Sequence, residues 1–205
     1  MKAYKKATEL DKNDDYSYYW LGRLYFHRQM YSEAKEAFQK AVSINPKNPD
    51  AHYRIGLIQY MENNFKGSIQ SFNKAISYDP EHSKAYYARG LSYLKVNDKG
   101  GAVSDFKKAT SLDPKMDRAY FNLGELYLDS KNYSEALTNF SKDLELRPNN
   151  TETNFKLGET YHEMKNYSNA ATFYNKAIEL DRNHYQAYFN LGLIKQAQKN
   201  HSEAI

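Results

Sequence analysis

The chain has 205 residues, 40% apolar and 26% charged, with a net charge of +4 and no cysteine. The balance is that of an ordinary globular chain. It excludes disulfides and thiol catalysis and disfavours a zinc site, and no stretch approaches the roughly 20 apolar residues that cross a bilayer.

In chain order, residues 1–14 come first, and their Ala7, Leu10 and Asp11 match Ala177, Leu180 and Asp181 near the other end. Residues 15–48 follow. There Tyr18, Leu21 and Tyr25, then Ala34, Ala37, Phe38 and Ala41, fall at helical spacing. This predicts two helices of about 13 residues each, paired across a turn near Gln29-Met30. The same unit returns at 49–82, 83–116, 117–150 and 151–184, and 185–205 begins another. The chain therefore begins and ends inside a helix, as an excised fragment does, and the whole length is expected to form a single array.

The step between copies does not vary. Gly22, Gly56, Gly90, Gly124, Gly158 and Gly192 are each 34 residues apart, and Pro46, Pro80, Pro114 and Pro148 keep the same interval. A fixed period in this range marks stacked helix pairs, each leaving an apolar face that the next pair covers. A glycine inside a helix costs about 1 kcal/mol of propensity. Its regular return predicts the close approach of a partner helix. The prolines follow the second helices and stop them.

Copy 117–150 shows the full signature: Tyr120, Leu123-Gly124, Tyr127, Ala136, Phe140 and Pro148. The aromatic of the second half recurs as Tyr4, Phe38, Phe72, Phe106, Phe140 and Tyr174. This pattern resembles the tetratricopeptide repeat along the whole chain. The resemblance implies an all-α, right-handed superhelical solenoid of antiparallel helix pairs. It also implies a binding surface rather than a catalyst, with the first helix of each pair lining the concave side.

Three departures from the pattern stand out. Asp143 replaces the alanine found at Ala41, Ala75, Ala109 and Ala177. A carboxylate in that slot needs a partner, expected in Thr151 or Thr153. Arg89 occupies a Leu or Ile position and is expected to snorkel to solvent. Gly100-Gly101 opens a second helix and predicts a loose start there.

On the family's pattern, the groove-facing residue reads Tyr19, Tyr53, Tyr87, Phe121, Phe155 and Phe189, an unbroken aromatic stripe. Arg23, Leu57, Leu91, Glu125 and Glu159 lie one turn on; Phe26, Tyr60, Leu94, Leu128 and His162 lie two turns on. An exposed apolar lane of this kind usually marks an interaction site. Residues 1–116 carry a net charge of +6 and residues 117–205 a net of −2. The groove would thus orient a ligand with its acidic end toward the early repeats.

Two subtypes of the family are disfavoured. The Lys and Asn that clamp a C-terminal carboxylate in co-chaperones are replaced here by pairs such as Tyr19 and Arg23, or Tyr53 and Leu57. The asparagine ladder of the N-acetylglucosamine transferase arm reads Trp20, Arg54, Ala88, Asn122, Lys156 and Asn190, with two asparagines only. Arg54, Asn122, Lys156 and Asn190 still belong with the expected groove.

Enzymatic chemistry finds no support. No phosphate-binding glycine loop is present, no two of the six histidines make a metal pair on a helix face, and no cofactor is implied. Glu159 and Glu163, one turn apart, read as a solvated face. The modest net charge and the acidic residues along the lane argue against nucleic acid. Sequons at Asn132, Asn166 and Asn200 fall in helix turns, which argues against a eukaryotic secretory protein and leaves a cytoplasmic address favoured. The expected function is a scaffold binding a peptide or protein segment in the groove. The alternatives are the recognition arm of a larger, glycosyltransferase-like enzyme, or a module that self-associates through its ends.

Overall fold

The computed structural model describes the backbone of residues 2–203 and the side chains of residues 2–197. The Asn200 sequon and the last side chains of the 185–205 copy lie outside that range. The described residues form twelve helices and no strand: α1 (Lys2–Leu10), α2 (Asp15–His27), α3 (Tyr31–Ile44), α4 (Pro49–Met61), α5 (Phe65–Tyr78), α6 (Ser83–Lys95), α7 (Lys99–Leu112), α8 (Asp117–Asp129), α9 (Tyr133–Leu146), α10 (Thr151–Glu163), α11 (Tyr167–Leu180) and α12 (Tyr185–Glu203). They fall into two compact units, Met1–Asp113 with α1–α7 and Pro114–Ile205 with α8–α12. Within each unit the dominant packing is between the two helices of one copy, α2 on α3 through α10 on α11.

Local chemistry starts and stops the helices. Asp14, Asn48, Asn64, Asp98 and Asn166 each accept the backbone N–H three residues on, at 2.8–3.2 Å, satisfying a donor that the first turn leaves unpaired. Second helices end where Asn45, Asp79 and Asp181 fold their side chains onto the N–H two residues on, at 2.9–3.2 Å. Asp181 does so without a following proline, so the side-chain turn ends that helix by itself. Between the helices of each pair, Gln29, Asn63, Asn97, Lys131 and Lys165 hold left-handed backbone, φ 58–62°. The residue after each donates its N–H to a carbonyl five residues back, at 2.8–3.0 Å, which closes the end of the first helix.

The repeat glycine has the role its recurrence predicted. A Cβ on Gly22, Gly56, Gly90, Gly124 or Gly158 would lie 2.5–2.8 Å from ring carbons of Phe38, Phe72, Phe106, Phe140 or Tyr174 respectively. All five rings are fully buried. The ring edge occupies the space of the missing side chain and brings the two helices together. Gly192 has nothing within 4 Å of that position.

The three departures resolve differently. Asp143 is fully buried. Its Oδ2 accepts from Thr153 Oγ1 at 2.5 Å and Asn150 Nδ2 at 3.0 Å, and its Oδ1 accepts from Arg147 Nε at 3.0 Å and from Arg147 Nη2. Arg147 also pairs with Asp117 at 2.7 Å. Thr153 is thus the expected partner, within a larger network joining α8, α9 and α10. Arg89 does not snorkel. Its Nε and Nη2 donate to the two oxygens of buried Asp105 at 2.7 Å each, and its Nη1 donates to Asn73 at 2.6 Å. Tyr86 and Tyr93 flank its guanidinium at 5.4 and 5.8 Å. Asp105 supplies what the sequence pattern did not show, a bidentate acceptor one helix away. The start of α7 is not loose either. Asp98 caps it by accepting from Gly101 N at 2.8 Å, and a Cβ on Gly101 would meet that carboxylate at 2.7 Å.

Urea denaturation reads the stability consequences of these contacts. Gly124→Ala forces the Phe140 ring to move and should cost about 1–3 kcal/mol. Gly192→Ala should be neutral or gain up to about 1 kcal/mol, because only helix propensity changes there. Arg89→Leu restores the apolar residue of the other copies but strands Asp105, and should cost about 3–5 kcal/mol. Arg89→Leu with Asp105→Ala should recover most of that loss.

Candidate functional site

The predicted stripe is anchored to the core. Tyr19, Tyr53, Tyr87, Phe121 and Phe155 stand three residues ahead of the repeat glycine. Each packs on the ring that fills the glycine notch, at centroid distances of 5.6–5.9 Å. Four are half-buried and present only part of the ring to the first-helix face. Phe155 corrects the expectation of an open lane. It is 5% exposed, with the His184 ring at 4.7 Å and Ala187 and Ile194 in the same buried cluster. His82 covers Tyr53 in the same manner at 4.8 Å. Phe189 is the opposite case, 65% exposed on α12.

A second aromatic layer lies at the turns. Phe26 meets Tyr31 at 5.5 Å, Tyr60 meets Phe65 at 5.4 Å and His162 meets Tyr167 at 5.6 Å. These edge-to-face pairs staple the ends of α2, α4 and α10 to the starts of α3, α5 and α11.

In the first unit the charged groups lie on this aromatic floor. The Arg23 guanidinium stacks over Trp20 at 4.1 Å and stands 5.8 Å from the Tyr19 ring. Arg54, from the next first helix, stands 5.7 Å from Phe26 and 5.6 Å from Tyr53. Stacking holds such a plane flat and leaves its N–H edge for another partner. Asp50 lies 3.7 Å from His82 Nε2. That imidazole, with Arg54 and Arg23 behind it, holds the Asp50 carboxyl below its ordinary range against the effect of burial. Burial pushes the Tyr19 and Tyr53 hydroxyls up, and Asp50 adds to both shifts. A cavity of about 520 Å³ opens among Trp20, Arg23, Phe26, His27, Gln29 and Arg54.

In the second unit the same face is acidic. Lys156 reaches Glu159 at 3.0 Å and Glu125 at 3.9 Å, with the Phe155 ring at 5.8 Å. Burial raises the Glu125 carboxyl above its ordinary range, and Glu152 and Glu159 push the same way while Lys156 opposes. Burial pulls Lys156 down, but the three glutamates outweigh it and the net direction is up. The asparagines on this face are already engaged. Asn122 Nδ2 donates to Arg118 O at 2.9 Å, and Asn190 Nδ2 donates to the Tyr174 hydroxyl at 3.2 Å. Glu159 is paired with Lys156 rather than poised beside Glu163 as an acid–base couple. A hollow of about 270 Å³ lies among Leu128, Asp129, Tyr133, Glu159 and Glu163. Among the described residues no group of His, Asp or Glu has the arrangement of a metal site, and no helix is long and apolar enough to cross a membrane.

Asp50, His27, Gln29 and the two covering histidines were not singled out from the sequence. A signal for the histidines did exist. His82 and His184 stand where Asn48 and Asn150 stand in other copies. They cap their helices through Nδ1, at 3.3 and 3.4 Å from Ala85 N and Ala187 N. A ring in a cap position reaches the neighbouring aromatic, which an asparagine does not.

Carboxyl ¹³C shifts followed through a pH titration test these electrostatics. Glu125 should titrate above the ordinary glutamate range, and Lys156→Met should raise it further by removing an opposing charge. Its ionised form is disfavoured by folding, so protonating it as pH falls through the raised value favours the folded state. Asp50 should titrate below the ordinary aspartate range. Its contribution to stability is present above that range and is lost as pH falls through the lowered value.

Models described as tetratricopeptide repeat match residues 3–36, 49–82, 83–116, 115–183 and 173–205, and one described as TPR repeat matches 22–62. No curated protein matches the chain in sequence. Among solved structures, YrrB, described as a TPR protein with an unusual peptide-binding site, is 23% identical over 92% of this chain and 97% of its own, with a TM-score of 0.82. MamA from Desulfovibrio magneticus RS-1 is 20% identical over 83% and 96%, at 0.74. The Pseudomonas aeruginosa pilF product is 22% identical over 94% and 87%, at 0.74. At these identities the likeness is one of fold.

Proposed function

The chain belongs to the tetratricopeptide-repeat family, and we propose that it is a binding scaffold that receives a peptide or protein segment along its first helices. The observation that carries this reading is the first-helix face within each unit. Arg23, Leu57 and Leu91 in the first unit, and Glu125 and Glu159 in the second, stand half-buried beside aromatics that pack on the core. Such a surface offers apolar anchoring and charge selection on rigid supports. The first unit favours acidic segments and the second favours basic ones. The peptide-binding site ascribed to YrrB adds support by fold analogy only. The reading assigns no catalysis to the chain.

The stripe aromatics are poor probes of this idea, because truncating Tyr53, Tyr87 or Phe121 also removes core packing. Leu57→Ser with Leu91→Ser alters the face itself. Peptides selected on the protein by display should bind this variant about tenfold or more weakly, with its melting temperature within a few degrees of the parent. Selected peptides that bind both proteins equally, or that cross-link to α3, α5 or α7, would overturn the reading.

Self-association is a second reading, favoured by one observation. Tyr185, Tyr188, Phe189 and Leu193 on α12 are 40–74% exposed, a contiguous apolar face of the kind that draws partners. Light scattering should then show mass rising with concentration, and Phe189→Ser with Leu193→Ser should suppress it. A constant monomer mass sinks this second reading.

A further inference from the structure

We infer that the cavity of the first unit is a carboxylate pocket, taking an Asp or Glu side chain, with an apolar neighbour, from a partner peptide. The inference deepens the binding-scaffold reading and rests on it. Three observations carry it. The first is the chemistry of the walls. Trp20, Arg23 and Arg54 can only donate hydrogen bonds, and they converge on one hollow of about 520 Å³. The second is that these donors are unspent. Trp20 Nε1 and Arg54 Nε are covered and have no hydrogen-bond partner, a costly state that an acceptor relieves once these side chains turn toward the hollow. The Tyr19 hydroxyl is a hydrogen-bonding neighbour of Arg54, but a hydroxyl does not neutralise a guanidinium. The Asp50 carboxylate feels both guanidiniums, but its recorded ion pair is with His82 at 3.7 Å.

The third observation is preorganisation. Both guanidinium planes are held on rings, Arg23 on Trp20 at 4.1 Å and Arg54 near Phe26 and Tyr53 at 5.7 and 5.6 Å. Little side-chain freedom remains to be lost on binding. A planar carboxylate fits two flat N–H edges, and the Phe26 and Leu24 walls accept the apolar residue beside it. This chemistry arises where the copies 15–48 and 49–82 meet. Trp20 and Arg54 hold equivalent places in successive copies, and the next places hold Ala88 and Asn122.

Trp20 is the single tryptophan of the chain, so its indole N–H is one assignable NMR signal inside the pocket. The probes are acetyl-Leu-Glu-Leu-amide, its Gln analogue and its phosphoserine analogue. The Glu peptide should move the Trp20 indole signal to saturation, and the Gln peptide should bind about tenfold or more weakly. Arg54→Gln and Arg23→Gln should each weaken the Glu peptide by about the same factor and leave the Gln peptide unchanged. Arg23 is half-exposed, so its variant keeps the test valid even if Arg54→Gln perturbs the fold. Equal binding of the Glu and Gln peptides, or parent-like binding by both variants, overturns the pocket. Much tighter binding of the phosphoserine peptide overturns it in favour of a phosphoryl ligand. A silent Trp20 with shifts confined to Leu57 and Leu91 overturns the pocket and leaves the scaffold reading intact. Silence throughout the first unit also overturns the pocket, and the fate of the scaffold reading then follows from the display experiment.

Discussion

The structure depends on one contact, repeated in five helix pairs: a buried aromatic edge set where a glycine has no side chain. The ring carbons come within 2.5–2.8 Å of where a Cβ would stand, so no other residue permits this helix separation without displacement. The same ring also packs on the first-helix aromatic three residues before the glycine. The core contact and the aromatic stripe therefore share one side chain. Close packing transmits any shift of the inner ring to the outer one.

On this uniform frame the copies differ where polar residues enter apolar positions, and the substitutions come in matched sets. Ser68 takes an alanine slot and donates to the buried Ser92 hydroxyl at 2.8 Å. Arg89 takes a leucine slot and binds Asp105. Asp143 takes an alanine slot and gathers Thr153, Asn150 and Arg147. A buried polar group is tolerated only with its partners in place, so each departure predicts a second one nearby. These sets give each helix pair neighbours that suit it, although the period makes all the copies alike.

The candidate site shows how one backbone holds different chemistry. The place of Trp20 in one copy is held by Arg54 in the next and by Lys156 in the fourth copy after Trp20. In the first unit these positions present donors over rings, and in the second a lysine lies among glutamates. The repeat supplies position and rigidity, and the variable residues supply selectivity. The likeness to YrrB, MamA and the pilF product extends to the frame, while the side chains on the first-helix face are this chain's own.

The helix pairs, their stops and the close helix approach at each repeat glycine were legible in the sequence, because a fixed period ties each residue type to one structural role. The exposure of the aromatic stripe was not. Whether Phe155 faces solvent depends on the next helix, whose Ala187 and Ile194 share its buried cluster and whose capping His184 sets its ring at 4.7 Å. The left-handed turn residues were hidden too, since none of the five is glycine. Arg89 looked like a snorkelling chain because its partner Asp105 lies on the following helix. By itself, then, the sequence determined the architecture and the list of side chains available to the first-helix face. Only the tertiary structure decided which of them are covered, which are paired and which donors remain unspent, because burial and pairing arise between residues that the period does not relate.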